Sequence, residues 1–533
     1  MSVPPAGSIP WVSLPYPKFE PAGGVCLLRA DTTSVGSPEV DEAREPRVYV
    51  TSTASEAGRE VSRLRDELRD CGVRIVETAV ESDVTITLDL SSSDLSKAQD
   101  NHENRESVRI EVSANQIHIS GSTPTALFRG TRLVLHNVHA QGALPCGVAN
   151  AQPQVQVRGL HVDTARKFYS SQWIEKRLYE MSWVGLNTFE WHFSENEGFR
   201  IESEAFSQVV SEDYISRDEV VHLLDIADDL HIEVIPSLDM PGHLRQVLAH
   251  FPDFQLPPAQ LAPESEPLAI PDTGHALNIT RPETVEFAMR LIDDFAPLFA
   301  RCHRWNLGGD EFVDFARIDD YPCLADAARD RFGDHANGFD LLTDFINQIA
   351  AHVIELGFEP LVWNDGQLRG HVVKCDPRVT LTWWTNWHKD MVPLRVAIDE
   401  GYRVINFNDS LFYYVLGENA GYLHPTPQRI WAANWHPGLF PNLPPAAVSK
   451  EMALEHSDPT RQELLTYPKE LLGSMYSIWS DKADAETASD VARLALPGLQ
   501  AMAERAWNGG STLSLDEFAA LCHKIGTPLV TAS

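Results

Sequence analysis

The chain has 533 residues, long for a single domain, and its 43% hydrophobic and 22% charged side chains give the balance of a packed globular protein. Its 76 acidic residues against 43 basic ones leave a formal charge of −33. Such a surface repels phosphate backbones and anionic lipid, which argues against nucleic-acid and membrane partners. No stretch of about 18 consecutive apolar residues occurs. The seven cysteines, at positions 26, 71, 146, 302, 323, 375 and 522, are odd in number and show no CxxC or other metal-ligand spacing. A disulfide framework is not expected, which fits a reducing compartment. The opening MSVPPAGSIPWVSLPYPKFEP lacks a basic segment followed by an apolar core, so a cytoplasmic address is expected.

Residues 1–150 read as a small α/β domain. Strand-like runs fall at 48–53, 73–80, 84–90 and 108–113, and an amphipathic helix, SEAGREVSRLRDELRDCG, closes on Gly72. After IHISGS a second helix is expected over TPTALFRGTRLVLHNV. The Gly- and Pro-bearing segment 142–154 reads as a linker.

From Gln156 the pattern changes to strands alternating with helices. Eight short apolar, β-branched or aromatic runs fall at 157–163, 188–193, 233–239, 304–311, 359–365, 379–384, 403–409 and 473–480. Capping boxes are read at Ser216/Glu219 and at Thr280/Glu283. Strands too apolar to face water favour a barrel of parallel strands over 151–510, with 511–533 as a short tail. No GxGxxG or GxxxxGK[ST] follows any strand, which removes the usual reason for an open doubly wound sheet.

Active sites of such barrels lie at the C-terminal strand ends. Those ends carry His161 and Asp163, His192, Asp239 with His243, Asp310 with Glu311, Trp363 and Asp365, Trp383 and Trp384, Asp409, and Trp479 with Asp481. One acid at a strand end can simply cap the next helix. A ring of carboxylates and indoles suits a sugar better: indoles stack on its apolar face, and carboxylates bind hydroxyls or transfer protons. Most glycosidases set two carboxylates on opposite faces of the sugar. Asp310 and Glu311 are adjacent, and on a strand their side chains diverge. Adjacent acids make sense if one protonates the leaving oxygen while the other grips a substrate group that is itself the nucleophile, such as a 2-acetamido oxygen.

RGLHVDTARKF (158–168), WHFSENEGFR (191–200), EVIPSLDMPGH (233–243) and WNLGGDE (305–311) resemble glycoside hydrolase family 20, the β-N-acetylhexosaminidases. IHISGS and ALFRGTRLVLHN resemble the family's accessory α/β domain, so the likeness spans nearly the whole chain. It implies a (β/α)8 barrel behind a smaller α/β domain and retaining, substrate-assisted hydrolysis without metal or cofactor. Glu311 would be general acid and then base, and Asp310 would orient the acetamido group. Asp239 and His243 would support the acid, and Arg158 would clamp the O3 and O4 hydroxyls; the plain alternative for Arg158 is a buried ion pair. Trp363, Trp384 and Trp479 would wall the acetamido pocket, Tyr413 (or its neighbour Tyr414) would donate to the acetamido oxygen, and Asp481 would bind O4 or O6.

Three features depart from the family pattern. Glu195 and Asn196 stand where two aspartates are usual, Val415 stands where many members carry an acid, and Trp479-x-Asp481 replaces Trp-x-Glu. These features resemble the lacto-N-biosidase branch, which releases a galactosyl-β1,3-N-acetylglucosamine disaccharide. Arg158 favours the single-sugar enzyme, because a clamp on O3 occupies the place where galactose attaches. The expected partner is an oligosaccharide with terminal β-GlcNAc or β-GalNAc. Two other readings compete. A metal-dependent amidohydrolase barrel would use His161, Asp163, His243 and Asp310 as ligands. A non-catalytic glycan binder would need the tryptophans but not the acid pair.

Overall fold

The structure is a computed structural model that describes residues 9–29, 45–90, 105–270, 274–386, 391–417, 422–441 and 462–528. The first eight residues of the chain, and the last five of the expected tail, lie outside the described residues. Two compact units are present. One comprises Met1–Arg158, Tyr179–Leu186 and Gln500–Ser533; the other comprises Gly159–Leu178 and Asn187–Leu499.

The first unit is built on a seven-stranded mixed sheet. Its strands are β1 (Lys18–Leu27), β2 (Arg47–Ser52), β3 (Arg74–Ile75), β4 (Val84–Leu90), β5 (Val108–Val112), β6 (Gln116–Gly121) and β7 (Ala143–Ala151), in the order β1-β7-β5-β6-β4-β2-β3. Period-two burial along β4 and β5 sends Val84, Ile86, Leu88, Val108, Ile110 and Val112 inward. Helices α1 (Gly58–Asp70) and α2 (Pro124–Gln141) pack on each other and on the sheet, with Thr123 Oγ1 capping α2 at the amide of Ala126. Each fully buried Leu or Ile there contributes roughly 1.5–3 kcal/mol.

Two sequence expectations change in this unit. Segment 142–154, read as a linker, is largely β7, paired antiparallel with both β1 and β5. Its small residues let two neighbouring strands approach: a Cβ on Gly147 would lie 2.4 Å from the Glu20 carbonyl oxygen. Residues after 510 hold a helix, Leu515–Ile525, that packs on α2, and His139 Nδ1 meets the Ile525 carbonyl at 2.8 Å.

The second unit contains the parallel barrel, apart from Val157 and Arg158 at the start of its first strand. Its eight strands are Val157–Asp163, Thr188–Ser194, Glu233–Leu238, Arg304–Asn306, Glu359–Trp363, Thr380–Trp383, Arg403–Asn406 and Leu471–Trp479. They pair in sequence order, and the seventh closes onto the eighth, which pairs with the first. A ninth segment, Tyr413–Val415, adds to the far end of the eighth strand. Seven-residue strands buried at every position, such as Thr188–Ser194, explain the continuous apolar runs. The capping box on Ser216 and Glu219 is formed. That on Thr280 is not, because Thr280 Oγ1 donates to Asn278 Oδ1 at 2.7 Å and Pro282 begins the helix.

Candidate active site

The fourth barrel strand stops at Asn306, five residues short of the run expected from sequence. Gly308 (φ 76°), Gly309 (φ 91°) and Glu311 (φ 41°) then turn the chain through left-handed conformations. Gly308 admits no side chain, since a Cβ there would lie 1.5 Å from Asp239 Oδ1. Asp239 accepts from the Gly309 amide at 3.3 Å. The expected divergence of two neighbouring side chains on a strand therefore does not apply. Instead both acids converge on one imidazole: His243 Nε2 lies 3.5 Å from Asp310 Oδ2 and 3.6 Å from Glu311 Oε2. The Asp310 side chain is 13% exposed and that of Glu311 41%, so the pair opens to solvent.

Charge is organised around that imidazole. His243 Nδ1 lies 2.9 Å from Glu195 Oε1, and Arg166 Nη2 lies 2.6 Å from the same oxygen. Burial disfavours a charged His243, but Glu195 and Asp310 outweigh it and raise the imidazole to about 10. Burial likewise opposes ionised Glu195, yet Arg166 and His243 hold its carboxyl well below the usual range. Burial pushes Asp239 and Asp310 well above the ordinary carboxylate value; the charge of Glu195 adds to it at Asp239, and that of Asp239 adds to it at Asp310. Glu311 is raised by desolvation, against the pull of His243 and with the help of Asp365. Burial and neighbouring negative charge that raise a carboxyl's proton affinity are the environment a proton donor requires.

An aromatic wall stands over these acids. The Trp384 indole N–H donates to Asp365 Oδ1 at 3.1 Å, and Asp365 Oδ2 accepts from the Glu311 amide at 3.2 Å. The Tyr413 ring stacks on Trp384 (6.0 Å, 7°) and sits 5.6 Å from Trp479, which is 6.0 Å from Trp363. Burial raises the Tyr413 hydroxyl well above its usual value, and Asp409 and Asp310 add to the effect, which places it beside the site acids. Tyr414 faces elsewhere and donates to Glu486 Oε2 at 2.6 Å. Asp481 is exposed just past the eighth strand, within the electrostatic reach of Arg166 and Tyr422.

Arg158 is not among these residues. It is fully buried, donating from Nε to Gly185 O (3.1 Å), from Nη1 to Val155 O (2.7 Å) and from Nη2 to Glu106 Oε2 (2.8 Å), with its guanidinium over Trp507. The reason is strand geometry: Arg158 lies at the start of the first barrel strand, roughly 16 Å of extended chain before Asp163. The arginine at the productive end is Arg166. Its Nη1 contacts Asp163 at 2.9 Å, and its guanidinium carbon lies 5.6 Å from the Trp479 ring. Sequence reasoning missed Arg166, although the rule that barrel sites lie past the strand ends points to it. Tyr422, 5.7 Å from Tyr413, carried no sequence signal.

The metal-ligand set His161, Asp163, His243 and Asp310 is not assembled. His161 packs on Trp479 at 4.3 Å, while Asp163 is taken by Arg166 and the Ser480 amide. Asp239, His243 and Asp310 do bring ligand atoms within 4.8 Å of one another. His243, raised to about 10, is itself a cation in that cluster.

The sequence profile described as glycosyl hydrolase family 20, catalytic domain, matches residues 156–510. A lacto-N-biosidase from Bifidobacterium bifidum is 25% identical over 454 residues, 85% of this chain and 37% of that protein. A β-hexosaminidase subunit A2 from Dictyostelium discoideum is 26% identical over 321 residues, 58% of this chain and 55% of that protein. The chain thus spans between about one third and just over half the length of these two relatives. Among solved structures, a β-N-acetylhexosaminidase from Bacteroides fragilis superposes with a TM-score of 0.67 at 20% identity, covering 96% of this chain and 94% of that one. An exo-β-N-acetylglucosaminidase from Vibrio harveyi in complex with N-acetylglucosamine gives 0.70 at 17% identity, covering 97% and 78%. These likenesses establish the shared fold, and the profile runs from the first barrel strand past the eighth. The chain belongs to glycosyl hydrolase family 20.

Proposed function

We propose that this chain hydrolyses the bond of a non-reducing terminal β-linked N-acetylhexosamine, GlcNAc and also GalNAc, with retention of anomeric configuration. The observation that carries the reading is the convergence of Asp310 and Glu311 on one charged imidazole beneath the Trp384–Tyr413 wall. Glu311 donates its proton to the glycosidic oxygen as the C1–O bond breaks. The acetamido oxygen of the same sugar attacks C1 and forms an oxazolinium ion, with the Tyr413 hydroxyl donating to that oxygen. Asp310 accepts the acetamido N–H and offsets the positive charge. Asp239 is the more deeply buried of the two aspartates, so ionisation costs less at Asp310, which serves as the carboxylate. Glu311, now ionised, takes a proton from water as water adds to C1 and the C1 bond to the acetamido oxygen breaks, which restores the acetamide. Arg166, rather than Arg158, presents its guanidinium fork to O3 and O4, with Asp481 at the rim. No step calls on a metal or cofactor. A cytoplasmic address belongs to the same proposal; the odd number of cysteines and their lack of metal-ligand spacing support it, and cell fractionation tests it.

A second reading, release of a galactosyl-β1,3-GlcNAc disaccharide, is supported by the B. bifidum relative and by Asp481 and Val415, which leave the rim with less carboxylate than the family pattern. The removal of Arg158 from the site does not decide for it, because Arg166 stands ready for the same clamp. A product assay separates the two. Free GlcNAc from lacto-N-triose with lacto-N-tetraose untouched supports the single-sugar enzyme, and disaccharide from the tetraose overturns it. No cleavage of either sinks both.

A further inference from the structure

Beneath the reacting pair the barrel holds a carboxyl group that the mechanism above does not use. Glu190, in the middle of the second strand, is fully buried, and its only hydrogen bond among the described residues is to the side chain of Asn306, whose Nδ2 donates to Glu190 Oε1 at 2.9 Å. Asn306 is also fully buried and is the last residue of the fourth strand. Its other amide atom, Oδ1, accepts from the Gly308 amide at 2.9 Å. Gly308 begins the left-handed turn that carries Asp310 and Glu311. From this geometry we infer that Glu190 is a positioning residue for the catalytic pair, acting through the Asn306 side-chain amide on the Gly308–Gly309 turn. The inference rests on the proposed function, since it concerns how fast that pair works.

The physical argument is one of orientation. A side-chain amide presents a donor and an acceptor of nearly equal size, and it can sit either way round unless its surroundings choose. The Gly308 N–H requires the oxygen, so the nitrogen must find an acceptor at the opposite end. The neighbouring strands offer few: the register partner of Glu190 on the third strand is Ile235, and on the first strand it is His161, whose Nε2 lies 3.9 Å away. With Glu190 removed, the Asn306 NH2 would be a buried donor without an acceptor, and the amide could relieve that only by giving up Gly308. The turn tolerates little slack, because Gly308 is wedged against Asp239. Displacement of about 1 Å at a reacting group costs on the order of 10²-fold in rate.

What Glu190 supplies is an acceptor oxygen, not a charge. Burial raises its carboxyl to about 8, so near neutrality it is largely the neutral acid, whose shape glutamine copies. The test is a mutant cycle on the intact chain with a β-GlcNAc glycoside. Wild-type release of the sugar is measured first and checks the proposed function by itself; the ratios among variants then check the positioning role. Glu190→Leu is expected to lower kcat about 30-fold with KM within about twofold, and Glu190→Gln to recover the rate to within about threefold. Glu190→Leu combined with Asn306→Leu should be no slower than Asn306→Leu alone. Should Glu190→Leu fail to fold, Glu190→Asp, too short to reach Asn306, takes its place with the same expected loss. Multiplying losses in the double variant, a change confined to KM, or a Glu190→Gln variant as slow as Glu190→Leu would each overturn the inference.

Discussion

Two buried clusters in this molecule use the same residue types and do opposite things. At the start of the first barrel strand, Arg158 and Arg129 close on Glu106: burial pushes that carboxyl up, but the two guanidinium groups bring it down to about 2. Arg158 also donates to the carbonyl oxygens of Gly185, Val155 and Gln156. At the other ends of the strands, Arg166, Glu195 and His243 face Asp239, Asp310 and Glu311, with more acids than cations. There Asp310 Oδ1 and His243 Nε2 have no hydrogen-bond partner among the described residues, and the carboxyl groups of Asp239, Asp310 and Glu311 are pushed upward. A carboxylate held between two guanidinium groups builds a fold; an excess of acids over cations, partly exposed, is available for chemistry.

The sharpest way to break this contrast is to remove one group from each cluster. Glu311→Gln is expected to lower kcat on an oligosaccharide about 10³-fold with the melting temperature unchanged, as loss of a general acid should. Arg158→Met should do the reverse, costing roughly 3 kcal/mol in denaturant unfolding because Glu106 is left short of a counter-charge, with KM unaltered. A Glu311 variant of wild-type rate, or an Arg158 variant whose main defect is KM, would erase the distinction.

Next in size is an opposite pH signature. Glu106 is lowered from 4.5 to about 2, so its contribution is complete above about pH 4.5 and fades as pH falls through 2. His243 is raised from 6.5 to about 10, so its contribution is complete below pH 6.5 and fades as pH rises through 10. The stability gap between wild type and Glu106→Gln should therefore shrink in acid, and that between wild type and His243→Gln in alkali, each by on the order of 1–3 kcal/mol. Gaps that stay flat with pH would show that these groups are not coupled to their neighbours as described. The smallest expected effect is that of Arg166→Lys, which keeps the charge and loses the fork. KM should rise about tenfold with kcat within about twofold. An unchanged KM would remove Arg166 from substrate binding.

The same contrast marks what the sequence reveals. Barrel strands such as Thr188–Ser194 are legible because burial on both faces writes an unbroken apolar run. Asp310 and Glu311 are legible because two acids after two glycines at a strand end have little structural use. Their convergence is not, since it depends on Glu311 adopting a positive φ that no pattern announces. The exchange of Arg166 for Arg158 turns on which end of a strand a residue occupies, a matter of boundaries more than of residue type. Strand β7 reads as a linker because its partners, β1 and β5, are remote in sequence, and its small residues make sense only against them.

The central claim is that the sugar's own amide, steadied by Asp310, attacks the carbon whose leaving oxygen Glu311 protonates. Proton NMR of the first-formed product from a β-N-acetylglucosaminide tests it most directly. Two displacements at C1 require the β-anomer to appear first and to mutarotate slowly toward the mixture. Initial appearance of the α-anomer would mean a single displacement by water, and the roles given to Asp310 and Glu311 would be wrong.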